Sequence, residues 1–207
     1  LVTETYINDI TFTDADHGWI AGYGVIYHTD DGGTTWNEQE LPVPMNCQSI
    51  IFITENIGWV VGSNYIILST VDGGETWLNR QNPFTGFNGW FRSVYFRGVS
   101  RGWICGDHGA ILFTDDGGET WSVQTTNTDD YLYDICFINQ NEGWVTGHGT
   151  WKTVNGGDTW IEQTLPVSFT GNSIRFFNAL DGWTCGTRIL RTSDGGENWE
   201  VHHNSGG

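Results

Sequence analysis

Two short signatures recur five times in the same order along this chain, and no other feature restricts its possible folds as tightly. The first reads GWIAG (18–22), GWVVG (58–62), GWICG (102–106), GWVTG (143–147) and GWTCG (182–186), at spacings of 40, 44, 41 and 39 residues. The second follows each time: TDDGGTTW (29–36), TVDGGETW (70–77), TDDGGETW (114–121), TVNGGDTW (153–160) and TSDGGENW (192–199). Self-similarity at a period of about 40 residues marks a repeat architecture, in which each unit buries its apolar face against its neighbours. The two signatures hold 10 of the 12 Trp and 20 of the 29 Gly, so the unusual composition is almost wholly the repeat.

Upstream of each GW stands an apolar pair two residues apart: Ile10/Phe12, Ile50/Phe52, Val94/Phe96, Ile135/Phe137 and Ile174/Phe176. That spacing is the strand period. One unit then reads as strands over 10–12, 19–21, 25–29 and 35–38, with the second signature turning between the third and fourth. Four antiparallel strands in about 40 residues make one propeller blade. The expected fold is an all-β, five-bladed β-propeller. It forms one domain over 1–207, with blades near 1–40, 41–81, 82–125, 126–164 and 165–203. Each blade uses consecutive residues, so closure is expected through packing of blade one on blade five or through additional chain.

In the second signature a short carboxylate accepts hydrogen bonds from the amides of its own turn, and glycine supplies positive φ. Asp31, Asp72, Asp116, Asp194 and, in the fourth unit, Asn155 are therefore expected to clip their turns. The Trp that follows is expected to open the fourth strand and anchor the core. Five equivalent copies on separate blades cannot converge on one substrate, and an amide at Asn155 argues against acid–base chemistry there.

This motif is the Asp box of the bacterial neuraminidase repeat. The whole unit, over nearly all 207 residues, resembles the repeats of the photosystem II assembly and stability factor propellers. That resemblance implies a binding role toward photosystem polypeptides through a basic patch. Sialidases and xyloglucan-cleaving propellers share the box, which makes a glycoside hydrolase the alternative function. The arginine cluster, Tyr/Glu pair and Arg-Ile-Pro element that the sialidase resemblance implies are absent from the sequence, and no catalytic residue is assigned.

Charge narrows the partners. Eight Lys+Arg stand against 25 Asp+Glu, a formal charge of −17, which repels phosphate backbones and anionic lipid. Nucleic acid is excluded as a partner. Arg92, Arg97 and Arg101 are the one local basic cluster. No apolar run reaches the roughly 18 residues that cross a bilayer, so direct membrane insertion is not expected. Cys47, Cys105, Cys136 and Cys185 lack metal or redox spacing and read as packed thiols, a Cys105–Cys136 disulfide being the open alternative. His108 and His148 read as solvent-exposed turn residues, with no cofactor or metal expected. A start at Leu1 fits a processed chain or part of a larger polypeptide or assembly. An extracellular, cell-surface or periplasmic location is expected.

Two tryptophans lie outside the signatures. Trp151 occupies the strand position of Tyr27, Leu68, Leu112 and Leu190 and should pack in the core. Trp90 lies in the one lengthened inter-blade loop, QNPFTGFNGWFR (81–92), with Phe84, Phe87 and Phe91. Exposed aromatics of this kind mark binding surfaces. Its equivalents, four residues before each first-strand apolar position, are Tyr6, Asn46, Tyr131 and Thr170. Two residues further on come Asn8, Gln48, Arg92, Tyr133 and Asn172. A site for a protein segment or glycan is expected at the channel mouth, the open alternative being that these loops only pack on one another. Trp90 would be its main platform, Tyr131, Tyr6 and Phe87 further rings, and Arg92 and Asp130 opposite charges that orient a polar ligand.

Overall fold

The computed structural model describes residues 5–84 and 88–203. The first sheet contains β1 (Ile7–Phe12), β2 (Gly18–Gly22), β3 (Val25–Thr29) and β4 (Asn37–Gln39), and the second β5 (Cys47–Phe52), β6 (Gly58–Gly62), β7 (Ile67–Thr70) and β8 (Leu78–Arg80). The third contains β9 (Phe91–Arg97), β10 (Arg101–Gly106), β11 (Ile111–Thr114) and β12 (Ser122–Gln124). The fourth has β13 (Leu132–Phe137), β14 (Gly143–Gly147), β15 (Thr150–Thr153) and β16 (Ile161–Glu162), and the fifth β17 (Gly171–Phe176), β18 (Gly182–Gly186), β19 (Ile189–Thr192) and β20 (Glu200–His203). Within each sheet the strands are hydrogen-bonded in chain order. The fold is all-β and propeller-like, five four-stranded antiparallel sheets. The chain divides into two compact units, 1–102 with 114–122 and 103–113 with 123–207.

Two boundaries differ from the sequence expectation. First strands begin earlier than the apolar pairs suggest, because a bulge extends them: pairing jumps from Ile7 to Asp9, Cys47 to Ser49, Leu132 to Asp134 and Gly171 to Ser173. A bulge leaves one residue outside the ladder and re-aims its side chain. The fourth strands begin later than expected, since Trp36, Trp77, Trp121, Trp160 and Trp199 all precede their strand. Bonds from the turn carboxylate to the residue before the Trp hold that stretch in the turn.

The signatures meet in one recurring interlock. In each sheet the Phe of the first strand's apolar pair, Phe12, Phe52, Phe96, Phe137 or Phe176, lies over the first glycine of GW, where a Cβ on Gly58 would stand 2.6 Å from the Phe52 ring. The other face of that Phe stacks on the GW tryptophan of the preceding repeat. The pairs are Trp19–Phe52, Trp59–Phe96, Trp103–Phe137 and Trp144–Phe176, with centroids 3.6, 3.6, 3.7 and 3.5 Å apart. Each of these indoles then donates from Nε1 to an Asp-box glycine carbonyl, at Gly73, Gly117, Gly156 and Gly195, over 2.9 to 3.2 Å. The Asp-box Trp of the following repeat closes the cluster edge-on, as Trp77 does against Phe52 at 5.8 Å. Stacked and edge-to-face rings both satisfy the aromatic quadrupole, and the indole N–H finds its partner although fully buried.

All four cysteines are free, three buried and Cys185 exposed, which removes the Cys105–Cys136 disulfide. Cys105 on β10 and Cys136 on β13 fill their strands as small apolar side chains. Burial pushes the Cys47 and Cys136 thiols up to about 12. Trp151 is buried.

Candidate functional site

In the first, second, fourth and fifth repeats the residue four before the first-strand apolar position is tied by its backbone to the turn between the second and third strands. Tyr23 N donates to Tyr6 O, Ser63 N to Asn46 O, His148 N to Tyr131 O and Thr187 N to Thr170 O, at 2.9 to 3.1 Å. The last glycine of each GW signature permits this approach. A Cβ on Gly62, Gly147 or Gly186 would collide with the carbonyl of Asn46, Tyr131 or Thr170. First-strand starts and second turns therefore share one rim of each unit.

In the first compact unit that rim carries a row of rings. Tyr6, 77 % exposed, meets the edge of Tyr23 at 5.8 Å, and Tyr23 meets Trp90 at 6.4 Å. The Arg92 guanidinium lies 5.2 Å above the Trp90 ring, within cation–π range. Trp90 is half-buried and bridges to Ser63.

The second unit carries its own group. Tyr131 contacts His148 at 5.4 Å, His108 at 6.1 Å and Tyr133 at 6.3 Å. Tyr133 is the residue released by the β13 bulge, and its hydroxyl lies 3.5 Å from His148 Nε2. His148 Nδ1 is 3.6 Å from the Asp130 carboxylate, which also accepts from Thr128 Oγ1 at 2.9 Å. Both histidines are exposed, and among the described residues no group of three or more His, Cys, Asp or Glu could hold a metal ion.

The lengthened loop has a structural cause besides any binding role. Asn64 and Tyr65 both take positive φ, 58° and 55°, in the second turn of the second sheet. Such a conformation is costly for a bulky residue. It is retained because the loop encloses the ring: Tyr65 is 1 % exposed, packs on Phe84 at 5.1 Å and on Phe91 at 4.9 Å, and accepts Asn82 Nδ2 on its carbonyl at 2.9 Å. Phe91, expected at the surface, is fully buried as the first residue of β9. Phe87 lies outside the described residues. The expected basic cluster also divides, since Arg92 stands at the start of β9 and Arg97 at its end, where β10 begins with Arg101.

Tyr23 was missing from the sequence reading, and His108 and His148 were read only as turn residues. Their signal is an aromatic or imidazole side chain in the turn just after GW-x-x-G, as in GYG, GDHG and GHG.

The Asp-box side chains form no common site. Asp31 accepts Thr29 Oγ1 at 2.8 Å, Thr35 N at 2.8 Å and Thr35 Oγ1 at 2.7 Å. Asp72, Asp116 and Asp194 repeat the arrangement with Thr70 and Thr76, Thr114 and Thr120, and Thr192 and Asn198. Asn155 keeps two of the bonds through Oδ1 and reverses the third, its Nδ2 donating to Thr159 Oγ1 at 3.0 Å. Donors facing a carboxylate favour its charged form. The Thr120 hydroxyl and amide hold Asp116 at about 2, and the Asn198 amide and side chain hold Asp194 at about 2.

The family model described as photosynthesis system II assembly factor YCF48 matches residues 1–48, 36–124 and 119–205. The photosystem II assembly lipoprotein Ycf48 of Synechococcus sp. (strain CC9902) is 37% identical over 81 residues, which are 36% of this chain and 24% of that protein. The match therefore spans about a quarter of the relative's length. A solved structure of YCF48 bound to D1 peptide is similar at a TM-score of 0.76 and 26% identity, covering 97% of this chain and 67% of that one. The GH74 enzyme of Niastella koreensis has a TM-score of 0.78 at 17% identity, covering 94% of this chain and 38% of that one, a likeness of fold alone.

Proposed function

The chain belongs to the photosynthesis system II assembly factor YCF48 family, and from that premise we propose that it is a non-enzymatic binding or scaffold propeller which holds an extended polypeptide segment against the rim of first-strand starts. The observation that carries the reading is the ring row Tyr6, Tyr23 and Trp90 with Arg92 over the indole. Aromatic anchors beside a guanidinium supply contact area and orientation, the usual composition of a recognition hot spot. The relative solved with a D1 peptide supports a protein ligand. A charge of −17 favours a neutral or basic segment in this case, unlike the basic patch that the family resemblance implies. The five repeats act as one domain in this proposal, at an extracytoplasmic surface, in keeping with relatives named lipoproteins.

Catalysis has little support. The Asp-box carboxylates are saturated with donors and held in their charged form, unfit to donate a proton near neutral pH. Screening immobilised peptide and glycan arrays, with sialosides and β-glucans as hydrolysis controls, tests the reading. Peptide binding that Trp90→Ala weakens by about 2 kcal/mol, with an unchanged melting temperature, is the expected result. Retention of glycans alone, turnover of a glycoside, or peptide binding indifferent to Trp90 and Tyr131 would sink it.

A further inference from the structure

Three residues after the Asp-box tryptophan of the first four repeats stand Gln39, Arg80, Gln124 and Gln163. The glutamines show what the position does. Gln39 Nε2 donates to Gly73 O at 2.8 Å while its Oε1 accepts from Trp77 Nε1 at 3.2 Å, so one carboxamide serves a glycine carbonyl and an indole of the next repeat. Gln124 makes the same bond to Gly156 O at 2.8 Å. A Cβ added to the second box glycine, Gly74, Gly157 or Gly196, would run into Oε1 of Gln39, Gln124 or Gln163, so a carboxamide overlies that glycine each time.

Arg80 breaks the pattern. A guanidinium has no acceptor, and this one turns aside, its Nε donating to Ser69 Oγ at 2.7 Å and its Nη1 to the Glu119 carboxylate at 2.9 Å. Over Gly118 the nearest atoms are instead Trp59 Nε1, 2.8 Å from an added Cβ, and the Trp121 ring at 3.3 Å. Trp59 donates to Gly117 O at 3.2 Å, as Trp19 does to Gly73 O. Trp121 is only 7 % exposed, and its Nε1 has no hydrogen-bond partner among the described residues. A buried donor of this kind calls for an acceptor. Trp160 and Trp199 share the lack, but there Gln124 and Gln163 bring a carboxamide oxygen over the same turn. Beside Trp121 lies a cavity of about 550 Å³, lined by Asn79, Arg80, Asn82, Glu119 and Thr120 among others. All of these residues belong to the first compact unit.

We propose that this cavity is a binding site for a primary carboxamide, the side chain of a glutamine presented by a partner polypeptide. It is seated as Gln39 is seated one repeat earlier, its NH2 donating to Gly117 O and its oxygen accepting from Trp121 Nε1. The chemistry excludes the obvious competitors. A carboxylate cannot donate to the carbonyl and meets Glu119, and a lysine or arginine cannot accept from the indole. A neutral amide also enters a chain of charge −17 without electrostatic penalty. None of these residues belongs to the ring row of Tyr6, Tyr23 and Trp90, so the two readings stand or fall separately.

Nitrogen–proton NMR of the indole groups in the 207-residue chain tests this, with Trp121 assigned through its backbone resonances. The tripeptide Gly-Gln-Gly, acetylated and capped as a methylamide, should move the Trp121 indole proton downfield saturably. The matching Glu and Leu tripeptides should bind about tenfold more weakly, since neither offers both complements to buried groups. Arg80→Gln should raise the melting temperature and abolish the response, because its own carboxamide then takes the seat. Equal responses to the glutamine and leucine peptides, a saturable response to N-acetylglucosamine but not to the peptide, peptide binding undiminished in Arg80→Gln, or a Trp121 signal that no peptide moves would each overturn the proposal.

Discussion

At Asp116 a single carboxylate joins the ends of a turn, and its titration ties local geometry to stability. Its folded value of about 2 lies below the ordinary 3.8, so the stabilisation is complete above pH 4 or so and is lost as the pH falls from there toward about 2. Protonation removes the charge that the Thr120 amide and hydroxyl address. Asn155 makes the equivalent turn without any titrating group. Asp116→Asn should therefore shrink the acid-induced fall in melting temperature over that window while changing it little at pH 7. Equal falls in both proteins would show that the Asp box contributes nothing to acid sensitivity. Tyr65 teaches a different lesson at the same scale: backbone strain at positive φ persists where the ring it positions is wholly enclosed.

Within a sheet, what matters is which strand residues find a neighbouring repeat. Phe96 fills the space between Trp59 at 3.6 Å and Trp121 at 5.9 Å, whereas Phe12, the same residue in the same local pose, faces solvent. Phe96→Ala should cost about 3–5 kcal/mol, the price of losing a buried aromatic and leaving a cavity. Phe12→Ala should cost about 1 kcal/mol or less in the isolated chain, in proportion to its partial burial. Denaturant titration of the two variants measures the contrast. Similar losses would mean that the interlock is not what stabilises the sheets. The bulges belong here as well, since they decide that Tyr133 joins the rim and leaves the ladder.

For the molecule as a whole the dominant field is its own charge. Seventeen net negative charges repel one another across the surface, and most of the ionisable groups are exposed. Raising ionic strength from about 0.01 M to 0.15 M shortens the Debye length from roughly 30 to 8 Å, which screens that repulsion. The melting temperature should rise with sodium chloride over this range. A fall would mean that attractive ion pairs such as Arg175–Asp134 and Arg80–Glu119 outweigh the excess charge.

The repeat count, the four-strand unit and the Asp-box turn were all legible in the sequence, because each depends on residues within one short stretch: an alternation, a pair of glycines, a carboxylate four residues before its amide. Part of the rim was legible too, since Tyr6, Trp90 and Tyr131 share one offset from the first strand. Only the tertiary structure decided which of these side chains meet. Tyr23 and His148 reach the rim because a glycine lets the second turn approach the first strand's start, and a single repeat read alone does not show that approach. The lengthened loop looked like a display of aromatics, yet it encloses Tyr65 and buries Phe91. Burial depends on what a segment distant in the chain offers: Phe52, Phe96, Phe137 and Phe176 stack on Trp19, Trp59, Trp103 and Trp144, whereas Phe12, with the same local surroundings, is 43 % exposed.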